Sequence, residues 1–265
     1  MNDHLLKGRI GIVTGASAGI GAAAARHLVR HGCPVVLNAR RKDRLDALLG
    51  ELGAEDASTI AGDCADPEII AALFDSARDE FGGHEREADL VVVNAGRGLS
   101  GSVVTSDASQ WEEMVRTNLL GAARLIREAA RRMTAQIDRD RSKGLDWTAR
   151  PHDIVVLGST VGRHISPFSS MYGSTKFAVN SLAEAARREM GPKGVRVTLI
   201  EPGFVESEFQ GVAGYERSWF EEVRAKIGPV LSPDDIADLI CTITGKPAHV
   251  HWSDVVVRCT RQEYP

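Results

Sequence analysis

The chain has 265 residues, of which 43% are hydrophobic and 26% charged, as is typical of a soluble globular protein. Its 36 acidic and 32 basic residues give a net charge of −4, which offers no strong electrostatic footprint for nucleic acid. No apolar run approaches the roughly 18 residues of a membrane helix, and the N-terminus is unlike a signal peptide. The four cysteines are scattered without a CxxC pair, so we expect a cytoplasmic protein with buried thiols and no metal site.

Short apolar runs alternate with longer amphipathic stretches, the pattern of βαβ units around a parallel sheet. Strands are predicted at residues 9–13, 34–38, 57–61, 90–93, 154–157, 195–200 and 254–257. Helices are predicted from the turn after the first strand to residue 30, and at 43–52, 66–81, 109–137, 169–189 and 233–243. The three valines at 91–93 suit a strand that is buried on both faces. The pattern predicts a single α/β domain with a doubly wound, seven-stranded parallel sheet flanked by helices on both faces.

Two segments depart from this alternation. Residues 138–153 are charged and contain Gly144 and Pro151, so they are predicted to form a surface loop, for which we have no functional account. Residues 204–231 are longer than a usual connection and rich in aromatic side chains. Long connections of this kind are often lids over binding sites. The alternative is a pair of short helices packed on the core, and the two interpretations are compatible.

A glycine-rich turn follows the first predicted strand, at residues 14–21 with the sequence TGASAGIG. Glycines there allow a tight turn and a close approach of the backbone to a pyrophosphate, and the next helix directs its N-terminus at the same place. A purely structural turn is the alternative. Because the turn follows the first strand and opens the first helix, we predict a Rossmann-like dinucleotide site. Its candidate cofactor contacts are Gly15, Ser17, Gly19, Ile20 and Gly21.

The end of the second predicted strand bears on the choice of cofactor. An acidic residue at this position would accept hydrogen bonds from the ribose 2′-hydroxyl of NAD. The chain instead has Arg40 and Arg41, and a guanidinium suits a 2′-phosphate. We therefore expect NADP(H), with NAD(H) less favoured. The two arginines could also merely solvate the start of a helix.

The segment YGSTK places Tyr172 and Lys176 one helical turn apart on the same face. Tyrosine has an ordinary pKa of about 10 and is a poor base at neutral pH. A neighbouring ammonium group stabilises the phenolate, which would lower that pKa. An exposed pair on a helix surface is the structural alternative.

Taken together, TGASAGIG at 14–21, NAG at 94–96, YGSTK at 172–176 and EPG at 201–203 resemble the classical short-chain dehydrogenase/reductase family over about residues 7–260. The resemblance implies a catalytic triad of Ser159, Tyr172 and Lys176, with Asn118 as a fourth member. It also implies further cofactor contacts at Asp63 and Cys64 beside the adenine, at Asn94, Ala95 and Gly96, and at Pro202, Gly203, Val205 and Ser207 near the nicotinamide. Val93 stands where the family usually has asparagine, and Ser207 where many members have threonine.

The resemblance implies hydride transfer between the nicotinamide and a carbonyl or secondary alcohol of a small molecule. Tyr172 would transfer the proton, and Ser159 would hydrogen-bond the substrate oxygen. Lys176 would lower the tyrosine pKa and bind the nicotinamide ribose, while Asn118 would hold a water for proton relay. Family members are mostly homotetramers or homodimers, so we expect one of these, with no nucleic-acid or membrane partner. The alternative is a non-catalytic NADP(H)-binding sensor or scaffold.

Overall fold

The computed structural model describes residues 5–264 and contains one sheet of seven parallel strands. The strands are β1 (Gly11–Thr14), β2 (Val35–Ala39), β3 (Ala57–Ala61), β4 (Leu90–Val93), β5 (His152–Leu157), β6 (Val195–Pro202) and β7 (Asp254–Val257). Their order across the sheet is β3-β2-β1-β4-β5-β6-β7. The order reverses between β1 and β4, which opens a crevice outside the carboxyl ends of these two strands. The predicted Rossmann-like, doubly wound fold is confirmed.

Helices cover both faces of the sheet. They are α1 (Gly19–Arg30), α2 (Lys42–Leu52), α3 (Pro67–Ser76), α4 (Trp111–Val115), α5 (Ala122–Ser142), α6 (Ser170–Met190), α7 (Phe209–Val212), α8 (Arg217–Ile227) and α9 (Pro233–Thr244). Because side chains alternate along a strand, Val13 packs with residues of α1, α2 and α9 on one face. Its neighbour Ile12 packs with α3, α5 and α6 on the other face. The sheet is therefore the middle of three layers.

The helix predicted at 109–137 is continuous but is not α-helical throughout. A short 3₁₀ turn, Ala108–Gln110, leads into α4, and a π-helical stretch, Arg116–Gly121, joins α4 to α5. A change from α-helix to π-helix cannot be predicted from the spacing of apolar residues, because that spacing changes little over one turn. Such π-helical insertions occur often at functional sites.

The prediction of a surface loop over 138–153 is wrong at both ends. Helix α5 continues to Ser142, and β5 already begins at His152. The helix can continue because the charged Asp140 is buried and has partners: it accepts a hydrogen bond from Gln136 at 2.9 Å and faces Arg150 at 3.4 Å. Only residues 143–151 connect the two elements.

A buried ionic network joins the amino ends of the central strands, on the side of the sheet away from the crevice. Arg9 donates to Asp89 at 2.6 Å and to Asp153 at 2.8 Å. Arg196 donates to both carboxylate oxygens of Asp153, at 2.7 and 2.8 Å. These side chains precede or begin β1, β4, β5 and β6, so the network fixes the register of four strands at one end. The opposite ends are left to form a site.

The aromatic segment 204–231 contains the two short helices α7 and α8, as one of its two interpretations expected. Its middle is tied to the loop after β4 by a hydrogen bond from the Ser100 N–H to the Ala213 carbonyl at 2.8 Å. All four cysteines are buried and unpaired, as predicted. Among residues 5–264, no helix combines the length and apolar character needed to cross a membrane.

Candidate active site

A cleft of about 460 Å³ lies at the carboxyl ends of the strands, over the point where the strand order reverses. It collects nearly all residues that the sequence singled out. They are Gly15, Ser17, Gly19, Ile20, Arg40, Arg41, Asp63, Cys64, Asn94, Ala95, Gly96, Ser159, Tyr172, Lys176, Pro202, Gly203, Val205 and Ser207. Gly21 and Asn118 do not line it and lie directly behind its walls.

The turn after β1 forms a cradle in which side chains would not fit. Gly15 and Gly19 have φ values of +68° and +54°, the left-handed region that favours glycine. A Cβ on Gly21 would lie 2.3 Å from the Gly15 carbonyl oxygen, so Gly21 lets the helix pack against the turn. Helix α1 starts at Gly19 with no side chain capping its N-terminus. Its first N–H groups therefore face the cleft as a site for an anion.

The middle of the cleft holds three polar side chains. Ser159 follows β5, while Tyr172 and Lys176 lie one turn apart near the start of α6. The Ser159 side chain lies close enough to Tyr172 to act on its pKa, and Ser159 Oγ accepts a hydrogen bond from the Val161 N–H at 3.3 Å. Lys176 Nζ donates to the Leu157 carbonyl at 2.7 Å and lies 5.9 Å from the centroid of the Tyr172 ring. The structure thus brings the three groups to one point.

Burial moves the two ionisable groups away from their charged forms. It raises the pKa of Tyr172 above its ordinary value, and the neighbouring Ser159 hydroxyl offsets this only in part. It lowers the pKa of Lys176 to about 8. Lys176 was expected to lower the tyrosine pKa, but burial is the largest cause of the shift and its direction is upward. Tyr172 is therefore a protonated phenol at neutral pH, in the state required of a proton donor.

Asn118 lies in the π-helical stretch and is almost fully buried. Its amide group donates to the Arg97 carbonyl at 2.9 Å and to Thr175 Oγ1 at 3.0 Å, and its oxygen accepts from the Arg97 N–H at 2.8 Å. These bonds fasten the loop that follows β4 to α6. In this structure Asn118 positions the cleft wall, and its predicted role in holding a relay water stays a prediction.

Each arginine at the end of β2 has a carboxylate partner. Arg40 donates to Glu113 at 2.6 Å, and Glu113 also pairs with Arg97. Arg41 donates to Ser17 Oγ at 2.9 Å and to Glu208 at 3.1 Å. This end of the cleft therefore combines cationic and anionic groups around the place expected for an adenosine ribose.

Asp63 and Cys64 lie after β3, on the far side of the same end. Asp63 accepts hydrogen bonds from the Ala65 N–H and from Arg116, both at 2.9 Å. Burial alone would raise the pKa of Asp63, but these two bonds and the nearby guanidinium groups lower it. Cys64, next in sequence, also lines the cleft and is buried.

Aromatic rings line the opposite end, beyond Tyr172. The ring of Tyr172 lies 5.5 Å from that of Phe209, and Trp219 stacks on Tyr215 at 5.0 Å. Phe204 lies 6.0 Å from Trp219. The C-terminal tail adds Gln262, whose Oε1 accepts from the Phe204 N–H at 3.2 Å.

The sequence did not predict the cleft residues Arg97, Glu208 and Gln262. It also did not predict Glu113, which pairs with Arg40 and Arg97 beside the cleft. None belongs to a motif, since each reaches the site through the packing of distant segments. Gly203 offers one retrospective signal, because a Cβ there would lie 2.2 Å from Gln262 Oε1.

A family model described as short chain dehydrogenase matches residues 9–217. The chain belongs to the short chain dehydrogenase family. Over 254 residues it is 30% identical to an uncharacterized oxidoreductase of Staphylococcus aureus (strain N315), covering 96% of this chain and 98% of that one. Family membership makes it an oxidoreductase that acts on alcohol or carbonyl groups.

Two solved structures share the fold. The closed form of serine dehydrogenase complexed with NADP⁺ is 27% identical, with a TM-score of 0.82 over 96% of each chain. The 3-ketoacyl-(acyl-carrier-protein) reductase of Brucella melitensis complexed with NADH is 24% identical, with a TM-score of 0.82 over 97% of this chain and 99% of that one. Of these two structures, one is a complex with NADP⁺ and the other a complex with NADH.

Proposed function

We propose that the protein is an NADP(H)-dependent oxidoreductase that transfers hydride between the nicotinamide and a carbonyl or secondary alcohol of a small molecule. The observation that carries this proposal is the convergence of the half-buried Ser159 with the buried Tyr172 and Lys176 in the middle of the cleft. One side of that group is a glycine cradle with an uncapped helix N-terminus, and the other is an aromatic wall. The cleft therefore has room for a dinucleotide and a substrate on either side of one proton donor.

The cradle fits a dinucleotide on its own geometry. The left-handed Gly15 and Gly19 leave backbone N–H groups facing the cleft. A Cβ at Gly96 would approach Asn118 Oδ1 at 3.3 Å and Lys176 Nζ at 3.8 Å, so this wall too is kept free of side chains. A pyrophosphate would be held at the N-terminus of α1, with its negative charge stabilised by the helix.

When bound, NADPH would supply the hydride to the substrate carbon. Tyr172 would then donate its hydroxyl proton to the substrate oxygen as negative charge develops on it. Ser159 would donate a hydrogen bond to the same oxygen and stabilise that charge. Lys176, protonated below about pH 8, would favour the tyrosinate that remains and bind ribose hydroxyls. In alcohol oxidation the tyrosinate would take the proton.

The preference for NADP(H) rests on the end of β2. No acidic residue follows this strand, and Arg40 and Arg41 both line the cleft there. Two guanidinium groups suit a 2′-phosphate and offer nothing specific to a 2′-hydroxyl. The similar serine dehydrogenase holds NADP⁺, while the Brucella reductase holds NADH, so the argument for this chain depends on its own strand end.

Side-by-side fluorescence titrations with NADPH and NADH test this preference. We expect tighter binding of NADPH by the wild-type protein. Arg40→Ala should weaken NADPH binding about tenfold or more, the worth of a charged hydrogen bond, and change NADH binding little. Arg26→Ala is the matched control, because Arg26 pairs with Glu51 on the surface outside the cleft. An equal effect of Arg40→Ala on both cofactors would refute the phosphate contact.

The aromatic end of the cleft supports an uncharged substrate with an apolar group. Beyond Tyr172 its described lining side chains carry no formal charge, being Val161, Ser169, Phe204, Phe209, Val212, Tyr215, Trp219 and Gln262. A carboxylate entering this end would lose water without gaining a cation. We propose that residues 204–231 act as the lid that encloses this substrate.

A matched pair of ketones tests the substrate class. Acetophenone and 4-acetylbenzoate share a ring and a carbonyl and differ by one carboxylate. We expect kcat/KM with NADPH to be about tenfold or more higher for acetophenone, because the buried charge would be unpaired. Similar values would contradict the uncharged-substrate proposal. Tight cofactor binding without turnover of any carbonyl or alcohol would favour the non-catalytic sensor.

We further propose that the chain forms a homotetramer or homodimer through the helices near Asn118 and Tyr172. Leu120, in the π-helical stretch, and Phe177, on α6, are each 42% exposed, which leaves apolar surface on both helices. Light scattering on the purified protein tests this, and a monodisperse monomer would contradict it.

A further inference from the structure

Glu208 joins three parts of the molecule across the mouth of the cleft. It stands at the start of the lid, immediately before α7. Its carboxylate accepts hydrogen bonds from Arg41 at 3.1 Å and from Arg44 at 2.5 Å. Both arginines lie in residues 40–44, which connect β2 to the first turn of α2 and are called the β2–α2 corner below. Arg41 in turn donates to Ser17 in the glycine-rich turn. The lid, the strand end and the phosphate cradle thus meet at one carboxylate.

The charge of this carboxylate is fixed at neutral pH. Hydrogen bonds from Arg44 and Arg41 hold the pKa of Glu208 below its ordinary value. Glu208 lines the cleft but is about half exposed, so its ion pairs can exchange with another anion. A 2′-phosphate, with a charge near −2, would need the same guanidinium groups.

We propose that Glu208 sets the cofactor selectivity of this site by competing with the 2′-phosphate of NADP(H) for Arg41 and Arg44. The inference rests on the proposed function, which puts the adenosine ribose at the end of β2. A cofactor with a 2′-hydroxyl leaves the ion pairs intact, whereas a 2′-phosphate must displace the carboxylate or lie beside it. Glu208 therefore opposes NADP(H) binding and leaves NAD(H) binding unaffected.

Equilibrium binding to a Glu208→Gln variant tests this inference without any turnover. Glutamine keeps the size of the side chain and removes its charge. The ligands are NADPH and NADH, together with 2′,5′-ADP and 5′-AMP, which carry only the adenosine half. Removing a competing exposed ion pair should tighten NADPH and 2′,5′-ADP binding by roughly three- to fivefold. Binding of NADH and 5′-AMP should stay within about twofold, because neither ligand displaces the carboxylate.

Glu206→Gln is the matched control. Glu206 lies two positions earlier in the lid, and its carboxylate pairs with Arg224 at 2.9 Å instead of with the β2–α2 corner. The Glu206→Gln variant removes the same charge from the same segment. Its affinities for NADPH, NADH, 2′,5′-ADP and 5′-AMP should therefore stay at their wild-type values. Tightening of NADPH by both variants would mean a general effect of net charge and would overturn the inference.

The remaining outcomes separate this inference from the proposed function. If Glu208→Gln weakens NADPH and NADH alike, Glu208 closes the lid on any dinucleotide and the competition is refuted. Unchanged affinities would also refute it. If the wild-type protein prefers NADH but the variant gains affinity for NADPH, the competition holds and the proposed NADP(H) preference fails.

Discussion

The pKa values of Tyr172 and Lys176 are both shifted by the same buried environment. Both are buried in the same cleft wall, and burial disfavours the charged form of each. The phenol therefore stays protonated, while the ammonium group loses its proton at a lower pH than an exposed lysine does. The protonated phenol of Tyr172 therefore lies beside a positive charge on Lys176 that is lost as the pH rises.

The rate of carbonyl reduction should consequently fall as pH rises through the pKa of Lys176, about 8. Below this pH the ammonium is charged and stabilises the tyrosinate that forms as Tyr172 gives up its proton. Above it the charge is lost and Tyr172 becomes a weaker acid. The measurement is kcat/KM for the carbonyl across the neutral and alkaline range, with NADPH affinity measured in parallel. A flat profile, or a rate that rises with pH, would contradict this role for Lys176.

The sequence predicted this pair because its spacing lies within one helix, and the resemblance added Ser159 from a neighbouring strand end. It could not predict Glu113 or Glu208. The partners of these carboxylates are 73 and 167 residues away, and nothing local marks their approach. Motifs thus located the proposed catalytic group, while the charge balance around Arg40 and Arg41 came only from the packed structure.

For the glycine-rich turn and α1, too, the sequence predicts one part of the structure and only the packed fold shows the rest. Their existence follows from the sequence, but the need for Gly21 follows from the packing of helix against turn. The π-helical stretch and the extension of α5 to Ser142 were not predicted. The first differs from an α-helix by hydrogen bonding and not by composition, and the second depends on a buried polar network around Asp140.

Gly21→Ala should therefore damage the cleft, because its Cβ would lie 2.3 Å from the Gly15 carbonyl. We expect a loss of about 1–3 kcal/mol in the free energy of unfolding, together with weaker NADPH binding. Gly50 is also in a helix, but nothing lies within 4 Å of its Cβ position. Gly50→Ala should instead stabilise the protein by about 0.5–1 kcal/mol. Chemical denaturation and titration measure both effects, and equal behaviour of the two variants would contradict the packing argument.

At the scale of the whole molecule, one end of the sheet is held by buried ion pairs and the other end forms the cleft. The amino ends of four strands are fixed by the buried network of Arg9, Asp89, Asp153 and Arg196, and the carboxyl ends carry the cleft. The βαβ alternation predicted a doubly wound parallel sheet but did not predict the order of its strands. The buried network was not predictable either, because it joins residues from the starts of four separate strands.

Asp153→Ala should leave two buried guanidinium groups without their shared partner. We expect the free energy of unfolding to fall by about 3–5 kcal/mol. In the fraction that stays folded, NADPH affinity should be unchanged, because the network and the cleft lie at opposite ends of the strands. Asp46→Ala, which removes a surface pair with Lys42, should change stability by less than about 1 kcal/mol. Denaturant titration would contradict the argument if the two variants lost similar stability.

The most direct test of the account is a comparison of wild-type protein with Tyr172→Phe, in NADPH binding and in turnover. Phenylalanine keeps the ring that packs 5.5 Å from Phe209 and removes the hydroxyl alone. We expect NADPH affinity within about twofold of wild type and a loss of turnover of about 100-fold or more, as for a removed proton donor. Turnover retained at the wild-type rate would show that Tyr172 is not the proton donor.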